Sequence, residues 1–223
     1  MKDIAKCAAL VITLSVIDAL PTVASAGGAG PVGPAARACT IRGTAGRDTL
    51  VGTEGNDVIC GVGGNDIVRG LGGDDVLFGD AGRDRVVGGE GNDRIYGGAG
   101  RDFIDGMQGD DRIWTGGGRW NNADGGRGDD VIVGGPKRDL LRDSYGFDRL
   151  FGGGGPDNIT AYGGGHDVVF GQSGDDLCLS VFDQRPGDRV VGGSGTDTYN
   201  VDPGDVATTA EVAALCDSDA PEA

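Results

Sequence analysis

The stretch Gly61-Val62-Gly63-Gly64-Asn65-Asp66-Ile67-Val68-Arg69 is followed at once by Gly70-Leu71-Gly72-Gly73-Asp74-Asp75-Val76-Leu77-Phe78, a second copy of the same nine-residue unit. Working outward in both directions, the unit recurs from Gly43 to Asn200. Its aspartates fall at Asp48, Asp57, Asp66, Asp75, Asp84, Asp93, Asp102 and Asp111, always nine apart. After an irregular stretch they return at Asp130, Asp139, Asp148 and Asp157, then at Asp167, Asp176, Asp188 and Asp197. Self-similarity at a short fixed period marks a solenoid, in which each unit stacks on its neighbours and cannot bury its own apolar face alone.

Each position of the unit has a physical task. Position 4 is glycine in nearly every copy, as at Gly46, Gly55, Gly64 and Gly73; lacking a Cβ, it holds a tight turn and leaves backbone carbonyls free. Position 6 is the aspartate. Hard cations such as calcium take six to eight oxygens from carboxylates and backbone carbonyls, and this turn offers both. Position 8 supplies the core, running Leu50, Ile59, Val68, Leu77, Val86, Ile95, Ile104, Ile113, Ile132, Leu141, Leu150, Ile159, Val169, Cys178, Val190 and Tyr199. Positions 7 and 9 are mixed, with Arg69, Arg85, Arg94 and Arg112 among them, so the apolar position sits in a short half-buried strand of period two.

Two units, eighteen residues, make one flattened coil. Coils stacked by ladder bonds lie roughly 4.8 Å apart. Aspartates eighteen apart then lie one above another: Asp48, Asp66, Asp84 and Asp102 on one edge, Asp57, Asp75, Asp93 and Asp111 on the other. Neighbouring carboxylates repel by roughly 3.5 kcal/mol at an effective dielectric near 20. A divalent cation between the turns reverses that sign and makes binding energy folding energy.

The sequence resembles the repeats-in-toxin (RTX) family, also called hemolysin-type calcium-binding repeat proteins, whose consensus is Gly-Gly-x-Gly-x-Asp-x-aliphatic-x. The resemblance covers residues 43 to about 200. It implies an all-β fold, a calcium-binding parallel β-roll (a right-handed β-solenoid of nonapeptide repeats). It assigns the metal to Asp48, Asp57, Asp66, Asp75, Asp84, Asp93, Asp102, Asp111, Asp130, Asp148, Asp157, Asp167, Asp176 and Asp197. Members are usually appended to secreted toxins, proteases, lipases or adhesins.

Composition agrees. Of 223 residues, 47 are glycine and only 5% are aromatic, too few bulky side chains for an ordinary globular core. The net charge of −16 disfavours nucleic acid and anionic membrane surfaces and suits a chain loaded with calcium ions. No macromolecular partner is legible, and a monomer is expected. Residues 1–26 read as a secretory signal: Lys2 and Lys6, an apolar run from Cys7 to Leu20 interrupted by Asp18, and the small-residue site Ala24-Ser25-Ala26. Residues 27–38 read as a flexible leader, 39–202 as the roll and 203–223 as an acidic cap, with a short helical turn between Glu211 and Leu215. The expected location is extracellular. Beyond the signal, Cys39, Cys60, Cys178 and Cys216 remain, an even count that favours disulfides in an exported chain. Three pairings are open; Cys39–Cys60 and Cys178–Cys216 are favoured because each would clip one end of the solenoid.

The repeat is uneven in places. Residues 115–124 take ten residues for one unit, with Trp120 where the aspartate is expected. The segment reads as an eroded repeat, or as a loop with an exposed Trp. Lys137 and Pro186 replace the position-4 glycine, so the turns of Asp139 and Asp188 are expected to bind calcium weakly or not at all. The unit beginning Asp143-Ser144-Tyr145 also departs from the pattern. No catalytic constellation is legible. The single histidine, His166, rules out His-Glu-x-x-His, and no Gly-x-Ser-x-Gly occurs. The expectation is a calcium-binding module with a structural or interaction role and no enzymatic activity. The alternatives are a polysaccharide-modifying β-solenoid, with Arg119, Trp120, Asn121 and Asn122 as its only candidates, or an adhesin fragment.

Overall fold

The computed structural model describes residues 38–183 and 185–208. The signal and most of the leader, Cys216 and the Glu211–Leu215 turn lie outside them. All regular structure among the described residues is β-strand, nineteen short strands from β1 (Ile41–Arg42) to β19 (Val206–Thr208). The odd-numbered strands form one ten-stranded parallel sheet and the even-numbered strands a nine-stranded one. Each coil gives one strand to each sheet, so the chain winds a parallel β-solenoid of about nine turns. The eighteen-residue register holds through the first half, with Leu50 over Val68, Val68 over Val86 and Ile59 over Leu77.

The core is the position-8 ladder, buried between the sheets. Three places differ from the sequence reading. In the 115–124 unit the extra residue lengthens the coil to nineteen, as read from the sequence, but Ala123 stacks between Ile104 and Leu141 as a core member the reading lacked. At the Cys178 unit, Leu179 and not Cys178 is the inward residue, stacked on Ile159. The extra residue there is Leu177, which stands outside the core and is 44% exposed. The ladder also runs past residue 202, because β19 adds Ala207 over Val190.

Position 1 is a second inward column that the sequence reading did not identify. Strands such as β4 (Ile67–Gly72) continue from position 7 into the next unit, burying the first glycine of that unit. Later coils place other residues there: Thr115, Asp143, Ala161 and Val181 are all buried. On the outside of the odd sheet, position 9 carries a stacked ladder. The rings of Phe78, Tyr96 and Trp114 lie 4.9 and 4.7 Å apart, and those of Phe151 and Phe170 lie 5.1 Å apart.

Candidate metal centres

The position-6 aspartates enter each coil just before its strands, with their side chains turned inward. Two continuous columns result. In the first, the backbone N–H of each member donates to Oδ1 of the member one coil on: Asp48 to Asp66, Asp66 to Asp84 and Asp84 to Asp102, at 2.8 to 3.0 Å. The same bond continues through Asp139, Asp157, Asp176 and Asp197. The second column runs Asp57, Asp75, Asp93, Asp111, Asp130, Asp148, Asp167 and Asp188 by the same bond.

Asn121, not Trp120, fills the gap in the first column: it accepts from Asp102 N–H at 3.0 Å and donates its own N–H to Asp139 at 3.2 Å. Trp120 lies on the turn surface with the Arg138 guanidinium 3.9 Å over its ring. Asp139 and Asp188 hold regular places in the columns despite Lys137 and Pro186. Asp205 ends the second column by accepting from Asp188 N–H, although it lies in the segment read as the tail.

One carboxylate oxygen per aspartate is therefore used by the ladder. The other, Oδ2, is buried and without a hydrogen-bond partner in Asp66, Asp75, Asp84, Asp93, Asp102, Asp111, Asp130, Asp148, Asp157, Asp167, Asp176 and Asp188. A buried ionised oxygen lacking a donor costs several kcal/mol unless a charge compensates it. Burial is the largest cause of the resulting titration shifts, with like charges of stacked neighbours adding to it. It pushes Asp84 and Asp93 up to about 7, and Asp111 and Asp157 up to about 8. A hard, oxygen-seeking cation fits this donor set, because it supplies the positive charge each open oxygen lacks.

The first coil and Asp139 are exceptions: Asp139 Oδ2 accepts from Gly135 N–H at 2.6 Å and from the Thr115 hydroxyl at 3.0 Å. Thr44 donates both its N–H and its hydroxyl to Oδ2 of Asp48, at 2.6 and 2.8 Å. Thr53 does the same for Asp57, at 2.7 and 2.9 Å. These bonds lower the Asp57 carboxyl below its ordinary value, the backbone bond from Thr53 contributing most. Both aspartates belong to the expected metal set, and their Oδ2 atoms already accept from protein donors.

Cys39 and Cys60 are joined by a disulfide. Cys178 is also disulfide-bonded, and its expected partner Cys216 lies outside the described residues. A groove of about 370 Å³ opens on the even sheet, lined by Asp105, Met107, Asp124, Arg127, Ser144 and Tyr145.

Comparison with curated proteins found no matching relative. The RTX calcium-binding nonapeptide repeat family matches at residues 40–68, 61–95, 87–119, 115–141, 124–159 and 144–178. These matches run through the coils whose stacked aspartates carry open oxygens, and the chain belongs to the family of RTX calcium-binding nonapeptide repeat proteins, whose repeats bind calcium.

Proposed function

We propose that this chain is an exported β-roll that orders itself on meeting calcium outside the cell and then serves as a structural or interaction module, not as an enzyme. The observation that carries the reading is the pair of buried aspartate columns with unpartnered Oδ2 atoms. Inside a cell, where free calcium is scarce, such columns oppose folding; in a calcium-rich medium the same columns drive it. Export is supported by the Cys39–Cys60 disulfide, which belongs to an oxidising compartment. The basic and apolar pattern of residues 1–26 and the small-residue site at Ala24–Ala26 support it too. A non-enzymatic role is supported by what the irregular segment does. Asn121 serves the column, so that candidate of the alternative reading has another task, and Trp120, though 40% exposed, holds Arg138 over its ring.

Equilibrium dialysis of the purified chain against calcium tests the binding. Several ions per chain, released by chelator and fewer in Asp75→Ala and Asp84→Ala, are expected. No bound calcium at millimolar concentration would overturn the reading. Export is checked by expressing the full chain and finding it in the medium, cleaved after Ala26. Retention of the uncleaved chain in cells would contradict that part.

A further inference from the structure

Along the second column position 1 is glycine at Gly106 and Gly125, and the next coil places a charged residue there, Asp143, with the apolar Ala161 over it. Its place in the ladder is fixed: Leu141 stacks on Ala123 and Arg142 on Asp124, so Asp143 falls directly over Gly125. The side chain is turned inward and fully buried. Its Oδ2 lies 2.3 Å from the point a Cβ on Gly125 would occupy, and Asp130 Oδ2 lies 2.6 Å from the same point. Only the absence of a side chain at Gly125 lets the two carboxylates meet there.

Asp143 Oδ1 accepts from the N–H of Ser144 at 2.7 Å and of Gly126 at 3.2 Å. Asp130 Oδ1 accepts from Asp111 N–H and Asp148 Oδ1 from Asp130 N–H. Every Oδ1 of the trio is thus used by the backbone, and every Oδ2 is buried without a partner. Asp130 and Asp143 are close enough to share a proton, but with both ionised neither Oδ2 has a donor. The ligand oxygens of Asp130, Asp143 and Asp148 lie within 4.8 Å of one another. Calcium–oxygen distances are about 2.3–2.6 Å, so oxygens on opposite sides of one calcium stand at most about 5 Å apart. The smaller magnesium, at about 2.1 Å, draws opposite ligands to about 4.2 Å.

We propose that Asp130, Asp143 and Asp148 together hold one interior cation of calcium's size through three carboxylate oxygens, a site set apart from the repeat turns by Asp143 in place of glycine. The proposal rests on the calcium reading above. Three carboxylates against one ion make this the most tightly held cation of the roll, the last to leave as calcium is withdrawn.

Native mass spectrometry of the full chain, with calcium withdrawn stepwise by chelator, tests it in the wild type, Asp143→Gly and Asp143→Asn. The glycine variant carries what Gly125 and Gly152 carry at this position; the asparagine variant keeps the shape and the hydrogen bonds without the charge. Both are expected to lose one ion from the count, and the calcium concentration at which the last ion leaves is expected to rise at least tenfold. Equal counts in all three chains would overturn the proposal. So would a full count in Asp143→Asn, which would mark Asp143 as a neutral hydrogen-bonding residue. If either variant fails to fold, terbium luminescence decay of the wild type in light and heavy water decides. With terbium withdrawn stepwise, a last-held ion fully shielded from water supports the interior site, and a last-held ion that keeps water overturns it. A wild-type chain that binds no calcium would instead remove the underlying reading.

Discussion

At the scale of single residues, the first glycine of a unit faces a buried carboxylate while position 4 of the first coil faces open space, a difference the sequence does not reveal. A Cβ on Gly70, at position 1, would lie 2.0 Å from Asp75 Oδ2 and 2.6 Å from the Gly88 carbonyl oxygen. Neither neighbour has room to give, because one is a buried carboxylate and the other is backbone. Gly55, at position 4, would meet nothing nearer than the Thr53 hydroxyl at 3.9 Å. Gly70→Ala is therefore expected to cost roughly 1–3 kcal/mol, read as thermal unfolding in excess calcium, whereas Gly55→Ala leaves the midpoint nearly unchanged. Equal effects would show that position 1 is not an inward column. Positions 6 and 8 were legible because charge and apolarity recur there in phase. Position 1 was not, since glycine reads as a turn residue whether it faces a carboxylate or solvent. Ala161 and Val181 are the signal that could have revealed it: apolar residues in the place of that glycine mark an inward position.

At the scale of the element, the first coil stands apart from the rest. Thr44 and Thr53 satisfy its two aspartates, Thr40 Oγ1 donates to Asp57 Oδ1 at 3.0 Å, and the disulfide ties β1 to the strand ending at Cys60. The coil thus holds its carboxylates without a cation and presents a finished edge on which the next coil stacks. The Cys39–Cys60 bridge closes a separation of 21 residues, which contributes about 3 kcal/mol on the chain-entropy model. Cys39→Ser is expected to lose amide-exchange protection around Ile41 and Ile59 while coils beyond Ile95 keep theirs, because solenoid units contact only their neighbours. Loss of protection along the whole roll, or none at all, would contradict this. The coil period of eighteen and the extra residue in 115–124 were legible, but the insertion at Leu177 was not. A residue added between aspartate and core shifts one side chain across the sheet, so Leu177 bulges outward and Leu179 takes the inward place read for Cys178. Counting nine from the last aspartate cannot detect such a bulge; the rise in burial from Leu177 through Cys178 to Leu179 does.

At the scale of the whole molecule, the acidity of the chain is carried inside. Sixteen aspartates are buried among the described residues. They are nearly half of the chain's 35 acidic residues. The pattern fixes a pH dependence. Without calcium, Asp84, Asp93, Asp111 and Asp157 hold protons in the roll up to about 7 to 8, against an ordinary value of 3.8. A carboxyl whose value is raised by folding favours the roll fully below the ordinary value and loses that contribution as pH climbs through the raised one. The calcium-free chain is therefore expected to gain β signal on acidification from about pH 8 to about pH 4, whereas the calcium-loaded chain sheds its ions over the same range. A calcium-free spectrum that does not change with pH would contradict the buried columns.

The central claim is that cations between stacked aspartates supply the free energy that closes the roll. Far-ultraviolet circular dichroism of the oxidised chain at neutral pH, titrated from excess chelator to millimolar calcium, tests it most directly. A largely disordered spectrum in chelator is expected, save a residue of structure in the disulfide-clipped first coil, with a cooperative gain of β signal as calcium rises. A full β spectrum in chelator, unchanged by calcium, would contradict it.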